Sequence, residues 1–432
     1  MRWAPGPHPE RDRSPIAEDS EDIVVDTETP TPIEKVGEDF FADPHAYYRR
    51  WRERGPVLYV EFTRNTAPGW VIVGYDESRA ALTDARLRKN VPGLLAVFER
   101  KNPGSRANPG MFDLSGHMLN TDPPDHTRLR KLVNKAFTAR SVAALRPRIQ
   151  EITDGLLDAM DGRDEVDLIE SFAVLLPVTV ICELLGVPLD DRADFQRWTK
   201  LLIGGAANTD EEVFTAGSEM SEYLRRLVQA KRANPGEDLL SGLVHTSDED
   251  NDRLDERELV AMAFLLLVAG HETTVNLIAN GVRALLHDPD QLRALRADPD
   301  GVPAAVEEFL RYDGPVGWAT ARFTDEPVRI GGVDIPEGEL VYIALSAANR
   351  DPGHYPEPDA LHTTGDASGH LAFGHGIHYC VGAPLARLEA DIAFRTLLRR
   401  FPDLGPSPDA PDPVWQPSFL IHGMTKFPVR LG

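Results

Sequence analysis

A chain of 432 residues, 42 % of them hydrophobic, is long enough for one large domain or two ordinary ones and rich enough to bury a substantial core. Two cysteines cannot build a disulfide framework, which points to a reducing cytoplasm. A net charge of −23 argues against nucleic acid or an anionic membrane as a general partner. Residues 1–35 are rich in Pro, Asp and Glu, lack the apolar core of a signal peptide, and read as a disordered tail ahead of a single domain over 36–432. The β-rich stretches 57–62 and 69–75, with a turn between them, predict a hairpin. From 124 to about 310 helical periodicity dominates, broken by Pro and Gly. Within it, 127–150 carries Arg128, Arg130, Lys131, Lys135, Arg140, Arg146 and Arg148 with no acid at all, a pattern that by itself reads as one solvated helix face. A long helix over 254–286 is apolar on every face near its middle, so it runs through the centre of the protein. Its most apolar stretch, 259–270, is shorter than the ~18–20 residues that cross a bilayer, and the chain reads as soluble. Strand character returns at 326–336 and 340–349, and a last helix starts near Ala383. The expected fold is mainly α with a small β portion.

Three anomalies meet inside the central helix, in "AGHETT" (269–274). Burying Glu272 in an apolar helix is costly without a purpose. Gly270 costs roughly 1 kcal/mol relative to Ala in a helix interior, and Thr273 and Thr274 can bond back to carbonyls one turn earlier. Together they suggest a locally widened helix beside a bound group. In "EEFLRY", Glu308 and Arg311 share a helix face and can pair. In "DPPDHTRLR", His126 and Arg130 stand at i and i+4, a pair of donors suited to a carboxylate.

Cys380 lies in "HLAFGHGIHYCVGAP", among Gly374, Gly376 and Gly382, where the backbone can bend sharply and approach something flat. A thiolate there could be a nucleophile, a zinc ligand or a haem ligand. Zinc needs about three further ligands at suitable spacing, and Cys182, in the apolar "PVTVICELLGVP", reads as core. His378 is near in sequence, whereas nucleophile–base pairs normally meet from distant positions. A haem-thiolate site fits better, with Phe373 able to pack against the sulfur.

The stretch "FGHGIHYCVG", with Phe373, Gly376, Cys380 and Gly382, resembles the cysteine signature of the cytochrome P-450 superfamily; "AGHETT" resembles its oxygen-activation helix and "EEFLRY" its glutamate–arginine pair. The motifs stand in family order, and the likeness covers nearly all of the chain after about residue 40. It implies the P-450 fold, with the long central helix over haem b, and Cys380 as the axial thiolate on the iron. It further implies that His126, Arg130, Arg322 and His378 hold the haem propionates and that Phe373 shields the sulfur. Ala269 and Gly270 then widen the helix over the haem, and Glu272 and Thr273 form an acid–alcohol pair that relays protons to dioxygen. There is one departure. Many bacterial relatives carry an arginine where this chain has Gly365, and that arginine often joins the Glu308–Arg311 network; Arg350 or His362 is expected to replace it.

The expected activity is that of a cytoplasmic monooxygenase fed by a ferredoxin and ferredoxin reductase. It would hydroxylate or epoxidise a small molecule, a polyketide- or macrolide-like secondary metabolite by family analogy, with terpenoids, steroids and fatty acids as alternatives. Glu272–Thr273 argues against a peroxide-driven peroxygenase, and Cys380 against a non-catalytic partner-binding member of the fold. Specificity is expected in 91–120, 203–209, 316–318 and 419–421, with 204–208 as a flexible lid. In this fold the basic run borders the cysteine side, where an electron donor docks.

Overall fold

The computed structural model describes residues 33–63, 66–102, 114–203, 208–246, 252–408 and 411–432. Residues 34–432 make one compact unit. The expected tail lies almost wholly outside the described residues. Its last two positions do not belong to it, because strand Glu34–Val36 pairs in parallel with Val57–Phe62.

The central helix is Glu256–His287. Asp255 starts it with a reciprocal cap: its side chain accepts the Glu258 N–H while the Glu258 carboxylate accepts the Asp255 N–H, so two otherwise orphaned donors are satisfied. By length and composition this helix could span a bilayer, contrary to the reading of 259–270 alone, but 72 % of its most apolar window is buried inside the protein. It is a core helix. One apolar cluster joins it to helices Val302–Asp313 and Ala383–Arg400. Another joins it to Leu175–Leu185 and Asp210–Ala233. Gly281 permits the first contact, since a Cβ there would lie 2.5 Å from Phe394 Cζ. Cys182 is core as expected, fully buried, with its thiol pushed up to about 11 by desolvation.

The predicted hairpin is present as antiparallel strands Val57–Phe62 and Gly69–Ile72. It continues into a six-stranded sheet in the spatial order Glu34–Val36, Val57–Phe62, Gly69–Ile72, Leu340–Ile343, Arg322–Thr324, Leu87–Arg88. Strand character in 340–349 stops at Ile343, and Leu345–Ala348 is a short helix. Ala, Ser and Leu suit that geometry, and all four side chains are buried there.

The basic run also departs from expectation. It spans three helices, Asp125–Ala136, Ala139–Ala144 and Arg146–Asp158, and several of its charges are spent inside the molecule. Arg128 pairs with Glu258 and Asp252, Arg146 with Asp391, and Arg148 with Glu183 and Glu151. Lys131, Lys135 and Arg140 are exposed.

Glu308 and Arg311 form a two-point pair at 2.7 Å for both contacts, each side chain 3 % exposed. The remaining three N–H groups of Arg311 donate to the carbonyls of Asn349, Pro358 and Ala360. Arg311→Met leaves the Glu308 carboxylate buried without its partner, a change that costs about 3–5 kcal/mol. A guanidinium chloride titration is expected to show that loss, and Glu308→Gln added to Arg311→Met is expected to recover part of it.

Candidate functional site

The Cys380 turn is built by its glycines. Gly374 and Gly376 sit at φ +70° and +74°, the left-handed region that a side chain disfavours. A Cβ on Gly376 would also lie 2.9 Å from Thr83 Cγ2. Within the turn, Cys380 N–H donates to the Phe373 carbonyl at 3.0 Å. Arg387 lies over the Phe373 ring at 4.5 Å and is held by Glu307 through two hydrogen bonds, while Glu307 also meets His370. Phe373 packs against the large helical core cluster, so the ring is fixed on both sides.

Cys380 is exposed as a residue, yet burial is the largest influence on its thiol and pushes the pKa up. The Gly382 N–H, Arg130, the Ala383 N–H and Arg387 pull the other way by favouring the thiolate. Both observations hold for a residue open to solvent whose thiol is nonetheless packed among protein atoms.

The expected propionate-binding side chains come together beside it. Arg130 Nη2 donates to the Tyr379 carbonyl at 2.7 Å, and the rings of His126 and His378 stand 4.3 Å apart. His126 and Arg322 are both buried, and His126 Nε2 and Arg322 Nε have no hydrogen-bond partner. Burial lowers the pKa of every one of these groups: Arg322 falls to about 10 and His378 to about 2, the latter helped by Lys89, His126, Arg322 and Arg130. Sequence reasoning missed two members of the cluster. His117 is buried with Nδ1 unpartnered and its pKa lowered to about 4 by burial and by Lys89, and Lys89 is itself buried. Orphaned buried donors and cations around a cleft that exposes a cysteine suit a flat group with carboxylates at one edge, and haem fits this site. Among the described residues, no group of three His, Cys, Asp or Glu side chains could hold a bare metal ion.

On the central helix, the residues before and after 268–273 are almost continuously buried, whereas Ala269 is exposed and Val268, Gly270, Glu272 and Thr273 are partly so. The site motif is therefore where this core helix reaches open space. Glu272 is less buried than expected, with its side chain 20 % exposed and Oε2 3.9 Å from His271 Nε2. Thr273 Oγ1 donates to the Ala269 carbonyl at 3.0 Å, the back-bond anticipated for it. The anticipated widening is not seen, since the helix is α-helical throughout 256–287. Gly270 serves close packing instead: a Cβ there would lie 2.9 Å from Ile181 Cδ1.

Neither side chain proposed for the role of the missing arginine takes it. The His362 backbone N–H donates to Glu308 Oε1 at 2.8 Å, while its imidazole lies near Glu357. Arg350 turns to the Tyr312 carbonyl and Asp359. Of the expected specificity segments, 316–318 and 419–421 are joined: Gly317 N–H donates to the Leu420 carbonyl, Trp318 N–H to that of Phe419, and Val316 bridges Ile421. Trp318 belongs to the core, buried with its indole N–H donating to Tyr48. Residues 91–101 form a helix; 103–113 and the lid positions 204–207 lie outside the described residues.

The family model described as cytochrome P450 matches residues 194–422. Cytochrome P450 107B1 of Saccharopolyspora erythraea is 53 % identical over 394 residues, covering 91 % of this chain and 96 % of that protein. The 6-deoxyerythronolide B hydroxylase of the same organism is 44 % identical over 396 residues, covering 91 % and 97 %. Among solved structures, the tirandamycin C-bound P450 monooxygenase TamI matches with a TM-score of 0.86 at 45 % identity, over 93 % of this chain and 100 % of that one.

The reduced protein under carbon monoxide is expected to show the red-shifted Soret band of a thiolate ligand, and Cys380→Ser to lose it. Persistence of that band in Cys380→Ser would place the ligand elsewhere.

Proposed function

The chain belongs to the cytochrome P450 family, whose members bind haem iron through a cysteine thiolate, and from that premise we propose that this monooxygenase hydroxylates or epoxidises a bulky secondary metabolite of the polyketide or macrolide class. One atom of dioxygen enters a C–H or C=C bond and the other leaves as water. The observation that carries the substrate class is the kinship with a hydroxylase named for 6-deoxyerythronolide B, at 44 % identity over almost the whole of both chains. The protein works in the cytoplasm, with neither membrane nor nucleic acid as partner.

Haem b, when bound, supplies the iron at which dioxygen is reduced and from which oxygen is transferred. Cys380 would hold its iron through the thiolate, which the turn positions and which the nearby N–H groups and cations favour. His126, Arg130, Arg322 and His378 would receive its carboxylates. Thr273 donates its own hydrogen to the Ala269 carbonyl, which leaves its oxygen lone pairs to orient a water. Glu272, partly open to solvent and one residue away, exchanges protons with that water. Ferredoxin and ferredoxin reductase supply the electrons. The helix Asp125–Ala136 touches the cysteine turn through Arg130 and presents exposed Lys131 and Lys135, charges that steer an acidic ferredoxin despite the negative whole and do so less as salt rises.

Spectral titration tests the substrate class. Macrolide-sized compounds are expected to shift the Soret band; a band that responds to small terpenes, steroids or fatty acids and not to macrolides overturns the class. Thr273→Ala is expected to keep haem and substrate binding while about 10²-fold or more of the proton-delivery advantage is lost, seen as NAD(P)H consumption diverted to hydrogen peroxide. Unchanged coupling of NAD(P)H oxidation to product removes Thr273 from the relay.

A further inference from the structure

Lys89 is 3 % exposed, an uncommon burial for a lysine with no carboxylate on its ammonium. Among the described residues, no hydrogen bond or ion pair engages its Nζ; the bonds recorded for Lys89 are those of its backbone N–H to Asp122, at 3.0 and 3.3 Å. Its place follows from sheet register. Strand Leu87–Arg88 pairs antiparallel with Arg322–Thr324, matching Leu87 with Thr324 and Arg88 with Phe323. One step further brings Lys89 level with Arg322. Two cations side by side on neighbouring strands repel, and here both are buried.

The charges around them show what relieves that repulsion. Lys89 is the largest electrostatic influence on His378 after burial, and it also acts on His117 and His126, so its ammonium stands within the same cluster. The cations are Lys89, Arg130 and Arg322. Against them stands Asp122, already accepting from Lys89 N–H, Asn90 N–H and Asn90 Nδ2; Asp84, the other nearby acid, is held by Arg86 through two side-chain bonds. Burial and the neighbouring Arg322 hold the Lys89 pKa well below that of a free lysine, Asp122 opposing them, and a carboxylate beside Nζ would act in the same sense as Asp122.

We infer that Lys89 is a direct cationic ligand of the haem carboxylates, joining Arg130 and Arg322 as the third charge of the site. The inference rests on haem occupying the cleft. A charge-assisted bond to a desolvated carboxylate is among the stronger single polar contacts. Its loss raises the rate of cofactor release. It also removes a positive charge beside the cofactor, which favours the ferric state.

The test uses the holoenzyme. Haem transfer to excess apomyoglobin is followed for wild type, Lys89→Met and Lys89→Arg, and the reduction potential of each is measured. Methionine keeps the length and volume of the lysine stem without the charge. Lys89→Met is expected to release haem about tenfold faster or more, with a more negative potential, whereas Lys89→Arg stays near wild type in both. Should Lys89→Met fail to accumulate, Lys89→Gln is read in the same assays. Haem release and potential unchanged in the uncharged variant overturn the assignment, and so does equal acceleration in Lys89→Met and Lys89→Arg, because then packing and not charge is at issue. A wild-type protein with no Soret band would instead overturn the haem reading itself.

Discussion

Burying a guanidinium and a carboxylate together is costly unless every polar hydrogen and lone pair finds a partner. Arg311 and Glu308 meet that condition. All five N–H groups of Arg311 are used, two on Glu308 and three on the carbonyls of Asn349, Pro358 and Ala360. The constraint propagates toward the cysteine. Asn349, whose carbonyl Arg311 holds, accepts the Leu371 N–H on its side chain at 2.6 Å. The Leu371 carbonyl accepts the Gly374 N–H, and the Phe373 carbonyl accepts the Cys380 N–H. A pair that looks like surface decoration thus fixes, through four short links, where the thiol stands. The same helix contributes Glu307, which holds Arg387 over Phe373. One turn of helix therefore governs both the backbone and the aromatic wall of the ligand turn.

The most legible features were those in which local chemistry and global position agree. Glycines that need left-handed backbone marked the Cys380 turn, and an apolar stretch without a polar face marked the central helix. The capping acid at 255 and the proline after Ala383 set helix starts where the pattern placed them. Harder to read was whatever depends on a partner far along the chain. Arg322 entered the site by resemblance alone, and Lys89 stayed hidden on the edge of a two-residue strand, too short to show a period. Gly270 looked like a device for opening the helix, and it also packs closely on Ile181, 89 positions earlier in sequence, which the local pattern does not show. The role lost at Gly365 passed to a backbone N–H, which leaves no trace in side-chain identity.

Charge is distributed in the same economical way. A chain of net −23 keeps a concentrated positive interior at one edge of the cleft, and it surrounds the outer basic run with acids from distant helices, Glu183, Glu258 and Asp391 among them. The first arrangement is unfavourable by itself, because buried basic groups repel one another, and an anion bound beside them would relieve that cost and link ligand binding to folding on this side of the molecule. The second ties together helices that are separated in sequence while leaving Lys131 and Lys135 outward.

Asp122 does more than hold Lys89. Its carboxylate also takes the N–H and side-chain amide of Asn90, and Asn90 in turn caps the helix that starts at Val91. The stretch that leaves the sheet at Asn90 therefore returns, 32 positions later, to the same carboxylate. Its two ends are clasped together whatever lies between them. Closing a flexible segment costs only about 0.6 kcal/mol more for each doubling of its length, so a change in length between the ends leaves the clasp intact, while Val97, Leu114, His117 and Met118 are buried and constrain composition at their own positions. The segment is thus a cassette with fixed ends and a few fixed core positions, seated on the sheet by Asn90 and Asp122.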